Sequence, residues 1–157
     1  MKKLNVLIII FLIPLVLFVG CSDKYENWQS ISIPGVGVFK VPQEWVVTQK
    51  NNMVYITDKP IKEEGYKTYL LGIKGDDGKY IPHYDFFENV EYIDTIEDVN
   101  YSNSATYWLG QYKINGNIEE KYVLHFYSTN QIIDFLAWDN LIDKDTIIKI
   151  AKSYVME

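Results

Sequence analysis

The stretch from Ala105 to Trp138 leaves the chain little choice of fold. Asn115-Gly116-Asn117 sits between two runs rich in β-branched and aromatic residues, Ala105 to Ile114 and Ile118 to Ser128. Asn-Gly is the pair a type I′ turn favours, because both central residues of that turn take positive φ. Ser128-Thr129-Asn130 then turns the chain into a third run, Gln131 to Trp138. The spacing predicts an antiparallel meander. On its middle strand Tyr122, Leu124 and Phe126 share one face, and Val123, His125 and Tyr127 share the other. Apolar groups on both faces predict a sheet covered at least in part on both sides.

After the meander, Asp143 stands where a helix N-cap belongs, ahead of a predicted helix from Lys144 to Val155. Ile147, Ile148, Ile150, Ala151, Tyr154 and Val155 fall on one stripe at helical spacing. Lys149 and Lys152 lie on the wet side, favourably late in the helix dipole. Such a stripe must bury itself on the sheet. The expected fold class is therefore α+β: a central antiparallel β-sheet flanked by helices, with the amphipathic C-terminal helix packed on the sheet.

The N-terminal half supplies further short strands. Ile31 to Ile33 ends at Pro34-Gly35, and Val36 to Val41 ends at Pro42. Trp45 to Thr48 and Met53 to Thr57 flank Lys50-Asn51-Asn52, a hairpin signal. Tyr66 to Lys74 is stopped by Gly75-Asp76-Asp77-Gly78. Lys79 to Tyr101 is the least regular part, with a short helix expected within Pro82 to Glu91 and a strand over Glu91 to Val99. Thirteen Tyr and four Trp suit an aromatic-rich β domain.

A different pattern opens the chain. Lys2 and Lys3 precede an uncharged, largely apolar run from Val6 to Val19 that contains Pro14. As a helix this run would reach roughly 21 Å, short of the ~30 Å hydrocarbon core. Length and flanks fit the central region of a signal peptide rather than a membrane span. The run closes with Leu17-Phe18-Val19-Gly20-Cys21, which resembles the lipobox of bacterial lipoproteins. The resemblance implies that the Cys21 sulfur carries diacylglycerol, that cleavage follows Gly20, and that the protein is held to the cell membrane on its extracytoplasmic side. A lone cysteine in an exported chain needs a partner or a modification. Two acyl chains also meet the physical need, since one chain anchors only marginally.

The expected organisation is thus 1–20 as signal peptide, 21–30 as lipidated N-terminus and tether, and 31–157 as a single domain. Cleavage would leave 137 of the 157 residues and, by removing Lys2 and Lys3, take the formal charge from −6 to −8. That acidity argues against nucleic acid as a partner. It also leaves the lipid, rather than a basic patch, to hold the protein to the membrane. There is no Arg, so no guanidinium fork exists for a phosphate or carboxylate.

Val38-Phe39-Lys40-Val41-Pro42-Gln43-Glu44-Trp45, followed by Asn52 to Asp58, resembles the opening of PsbP-like proteins of the Mog1/PsbP type. Ile147 to Tyr154 is similar to their closing helix. The resemblance covers the two ends of the domain, about half of it. It implies a central antiparallel sheet between helices and a non-catalytic accessory or binding role, several such proteins being bacterial lipoproteins. No ligand positions carry over.

Chemistry-bearing residues are sparse. His83 and His125 are the only histidines. A divalent site at His83, Asp85 and Glu88 would need that stretch to be helical. His125, on a strand, reads as a half-buried, hydrogen-bonded residue. Gly75-Asp76-Asp77-Gly78 lacks the ligand spacing of a calcium loop, and Asp139, Asp143 and Asp145 read as turn and cap residues. Cys21 is taken by lipid, no Gly-x-Ser-x-Gly occurs, and two distant histidines make no triad. No catalytic residue, metal or cofactor is expected. Tyr80, Tyr84, Phe86, Phe87 and Tyr92 cluster in the irregular middle, as a lid over one sheet face or as a contact surface. In the second case Tyr80, His83, Tyr84 and Asp85 would meet an envelope protein or small ligand. An envelope hydrolase and a structural envelope component without a discrete site stay open beside the accessory role.

Overall fold

The computed structural model describes residues 24–76, 90–102, 104–129, 131–138 and 140–157. Its meander follows from the local chemistry. Asn115 (φ 49°) and Gly116 (φ 86°) both take positive φ, as a type I′ turn requires. They join two strands, Ala105–Ile114 and Asn117–Tyr127. A third, Gln131–Trp138, pairs antiparallel with the second, placing His125 opposite Asp134. A preceding strand, Val90–Ser102, forms the other neighbour of Ala105–Ile114 and interrupts its ladder with three irregularities.

In chain order the described strands are β1 (Trp28–Ile33), β2 (Gly37–Pro42), β3 (Val46–Lys50), β4 (Met53–Thr57), β5 (Thr68–Asp76), β6 (Val90–Ser102), β7 (Ala105–Ile114), β8 (Asn117–Tyr127), β9 (Gln131–Trp138) and β10 (Val155–Met156). The helix α1 (Lys144–Ser153) lies between β9 and β10. Two antiparallel sheets result. The larger has the order β3-β4-β5-β9-β8-β7-β6, two meanders joined where β5 pairs with β9. The smaller has the order β1-β2-β10.

Alternation along the strands assigns the faces. Ile31 and Ile33 of β1 and Phe39 and Val41 of β2 point into the core, while Ser32 and Val38 point out. Against them lie Val54, Ile56, Leu70, Tyr107, Leu124, Phe126, Ile133 and Phe135 from the inner face of the large sheet. Phe39 is fully buried between Phe126 and Phe135, with ring centroids 5.2 and 5.3 Å away. Gly72 on β5 leaves room for the Phe135 ring, whose nearest atom would sit 2.4 Å from an added Cβ.

At one end, side chains tie the sheets together. The Ser128 hydroxyl bonds Gly35 O at 2.6 Å, and the Tyr154 hydroxyl lies 2.8 Å from Val36 O and 3.0 Å from Tyr127 O. Tyr154 also stacks on Phe126 at 4.4 Å.

The helix-flanked α+β expectation is corrected by this arrangement. The described residues are mostly strand and contain one helix. The inner face of the large sheet is covered by a second sheet together with that helix. The physical reason is the period-two pattern of 28–42: two short strands, apolar on one face only, that form a cover of their own rather than joining the central sheet. Of the helix expected at 82–91, residues 82–89 lie outside the described residues, and Val90 and Glu91 open β6 instead.

Within α1, Asp143 acts as the cap, its carboxylate accepting from Thr146 N at 2.9 Å. Ile147, Ile150 and Ala151 are buried, with Ile148 and Tyr154 packed beside them. The helix ends at Ser153, two residues earlier than the stripe predicts. The Ser153 hydroxyl turns back to Ile150 O (2.7 Å) and accepts from Lys40 N (2.8 Å). Tyr154 is extended, and Val155 leaves the apolar stripe to pair with Val38 in β10.

The segment expected as lipidated N-terminus and tether, 21–30, is described from Lys24 on. Residues 28–30 belong to β1. Tyr25 donates to Lys149 O at 3.1 Å, and Trp28 packs against the core. The segment is therefore folded onto the domain from Tyr25 onward.

Candidate functional site

The other face of the large sheet carries the most concentrated chemistry among the described residues. On β8 the alternation sends Val123, His125 and Tyr127 to this outer face, and on β9 it sends Ile132, Asp134 and Leu136 there. Val123, Ile132, Asp134 and Leu136 are buried, so the face is apolar and covered at its centre.

Into this apolar ground the pairing places one histidine against one carboxylate. His125 Nδ1 meets Asp134 Oδ1 across the β8–β9 ladder. The Asp134 side chain is 2 % exposed and that of His125 is 23 % exposed. A carboxylate oxygen accepts, so Nδ1 is the donor in this contact. Two aromatic rings flank the imidazole. Trp108 on β7 lies 6.5 Å away, and Tyr127, two residues along β8, stacks nearly parallel at 6.5 Å. All three rings are partly exposed. Next along β8, Lys121 is buried and paired with Glu119 at 2.7 Å.

A histidine oriented by a buried carboxylate is half of a proton-transfer device. The other half would be a nucleophile or a bound water. Among the described residues His125 makes its hydrogen bond to Asp134, and no Ser, Thr or Cys of theirs completes a triad with it. Nor do the described residues contain a group of three or more His, Cys, Asp or Glu able to hold a metal ion.

A second polar cluster lies where β6 meets α1. Lys144 pairs with Glu97; that contact holds the Glu97 carboxyl below its usual range and raises the Lys144 ammonium. Burial pushes the nearby Tyr107 hydroxyl up to about 12, and Glu97 adds to the rise. Lys144 occupies the first helical position, where the dipole disfavours a cation. Glu97 offsets that, so the cluster reads as a strand–helix tie.

The positions singled out from the sequence, Gly20, Cys21, Tyr80, His83, Tyr84 and Asp85, lie outside the described residues, as do Phe86, Phe87, Glu88 and Asp139. Tyr92 is described: it lies on β6, exposed, with its ring 5.7 Å from that of Tyr112. The half-buried, hydrogen-bonded reading of His125 matches the structure. Its partner was the missing piece. Asp134 is the one charged residue of Gln131–Trp138, and a register set by the 128–130 turn would have placed it opposite the histidine.

Among the described residues no helix is long and apolar enough to cross a membrane. No family model matches the chain, and no curated protein matches it in sequence. The PsbP resemblance therefore rests on its short motifs alone.

Proposed function

We propose that this is a lipid-anchored extracytoplasmic protein, held by diacylglycerol on Cys21, that acts at the cell envelope as a binding or accessory protein rather than as an enzyme. The observation that supports binding is the Trp108–His125–Tyr127 ring cluster. Partly exposed aromatic rings around a fixed polar group suit recognition, because they offer contact area at little cost in side-chain entropy. The anchor reading is supported by the lipobox-like residues before Cys21.

The test is affinity capture from membranes with the anchored protein as bait. Trp108→Ala/Tyr127→Ala should lose the captured partner while melting cooperatively; retention at wild-type level would dismiss this face. Tyr80→Ala/Tyr84→Ala tests the surface proposed from the sequence in the same assay. Cys21→Ser should leave the membrane fraction, and full retention there would defeat the anchor.

A second reading, an envelope hydrolase, is favoured by one observation, the His125–Asp134 pair. It requires activity on cell-wall peptide or glycan fragments that His125→Ala removes. If wild-type protein releases no product, this reading fails.

A further inference from the structure

The chain is acidic, yet its lysines converge where the anchor arrives. Lys24, Lys40 and Lys149 place their ammonium groups 5.6, 4.8 and 5.4 Å from the centre of the Tyr25 ring. Lys149 also sits 4.1 Å above the Trp28 ring. One helical turn further, Lys152 lies 5.2 Å from the Tyr101 ring. These residues come from five places in the chain: the 24–27 turn, β1, the outward side of β2, β6, and the solvent side of α1. Among the described residues none of the four lysines has a carboxylate within ion-pair distance. Asp23 and Glu26 are the acids of the same N-terminal stretch and Asp145 stands four residues before Lys149 on α1, so the four lysines outnumber these three acids.

We infer that this face is a second, electrostatic membrane contact, which docks the domain on anionic phospholipid headgroups and fixes its orientation. The inference rests on the lipid anchor proposed above. Three peptide units separate Cys21 from Lys24, a reach of at most about 11 Å. A domain on so short a leash presents to the bilayer the surface from which the leash emerges. That surface is the cationic one, in a chain whose overall charge is negative. Lysines suit the task as compact charges that need no fixed fork geometry, and half-buried Tyr25 and Trp28 match the apolar-to-polar gradient at a headgroup layer. Each lysine near an anionic surface contributes on the order of fivefold to the docking equilibrium. The anchor supplies the affinity, and the patch selects one pose among many. In that pose β1-β2-β10 and α1 face the lipid. The outer face of the large sheet, with Trp108, His125 and Tyr127, points away from it.

The experiment uses the full acylated protein reconstituted in vesicles of phosphatidylcholine alone or of equal parts phosphatidylcholine and phosphatidylglycerol. Mass spectrometry of the N-terminal peptide reports the lipid on Cys21. A membrane-impermeant amine reagent then footprints the lysines. In anionic vesicles Lys24, Lys40, Lys149 and Lys152 should react roughly tenfold more slowly than in neutral ones, and molar salt should abolish that protection. Lys50 and Lys113, exposed on the large sheet, should react alike in both. The double variant Lys40→Gln/Lys149→Gln should stay anchored while Lys24 and Lys152 lose protection. Equal rates for the four lysines in both vesicle types, or protection that survives high salt, would overturn the inference with the anchor intact. An unmodified Cys21 would instead remove the anchor reading, and this inference with it.

Discussion

Phe39→Ala should come close to separating the two sheets. Phe39 is fully buried on β2, and its ring contacts Phe126 and Phe135 on the inner face of the large sheet. Truncating a core phenylalanine costs about 3–5 kcal/mol through lost transfer energy and the cavity left behind. Each aromatic pair adds roughly 0.5–1.5 kcal/mol beyond burial. The upper part of the truncation range, about 4–5 kcal/mol, is therefore expected, out of a total that for such domains is about 5–15 kcal/mol. At roughly 3–5 °C per kcal/mol for a domain of this size, the melting midpoint should fall by about 12–25 °C.

The control lies one residue away. Val38 points outward from the same strand and is 38 % exposed, so Val38→Ala should stay within about 0.5 kcal/mol. The assay is urea unfolding followed by tryptophan fluorescence and far-UV circular dichroism, with calorimetry for the midpoint. A Phe39→Ala midpoint within about 3 °C of wild type, at an unchanged denaturant slope, would refute the two-layer core. So would equal losses from Phe39→Ala and Val38→Ala, because the strand would then not present alternate faces to core and solvent.

Asp143→Ala removes the bonds to Thr146 and should cost about 1 kcal/mol by thermal unfolding, whereas Asp143→Asn should cost only a few tenths. Because the backbone bond to Thr146 lowers the Asp143 pKa, its contribution is present above the unfolded value and is lost as pH falls through the folded one. An acid titration of the midpoint should therefore show less loss below about pH 4 in Asp143→Asn than in wild type. Burial raises the Tyr154 and Tyr107 hydroxyls to about 12. Folded protein then holds these protons more tightly than unfolded chain, so stability should be full below about pH 10 and fall towards pH 12. Tyr154→Phe should lessen that alkaline decline and, in denaturant titrations at neutral pH, lower stability by about 1–2 kcal/mol, since it removes the donor to Val36 O and Tyr127 O. Gly37 takes φ +155°, and an added Cβ would lie 2.4 Å from Val155 O. Gly37→Ala should release β10 and cost about 1–3 kcal/mol, read as faster amide exchange at Val155 and Met156 with the large sheet unchanged.

The local elements were legible in the residues themselves. Asn115-Gly116 dictates its turn because an L-residue pair without Asn or Gly resists two positive φ angles in succession. Asp143 dictates a helix start because its carboxylate satisfies a free N–H. The strands of the meander from Ala105 to Trp138 and the burial parity of Leu124 against His125 follow from the turn signals and the period of two. These signals act over a handful of residues, so a single sequence carries them. Tertiary structure decided which surfaces meet. The stripe on α1 requires a cover but does not name one. Whether 28–42 would extend the central sheet or form its own depended on contacts more than a hundred residues apart, such as Lys40 N to Ser153 Oγ and Val38 to Val155. The same distance hid which group Tyr25 meets, the Lys149 carbonyl. It also hid the convergence of lysines from the N-terminal turn, β2 and α1. An overall negative charge constrains where a protein can go, but the arrangement of its charges in space is settled only when distant segments pack.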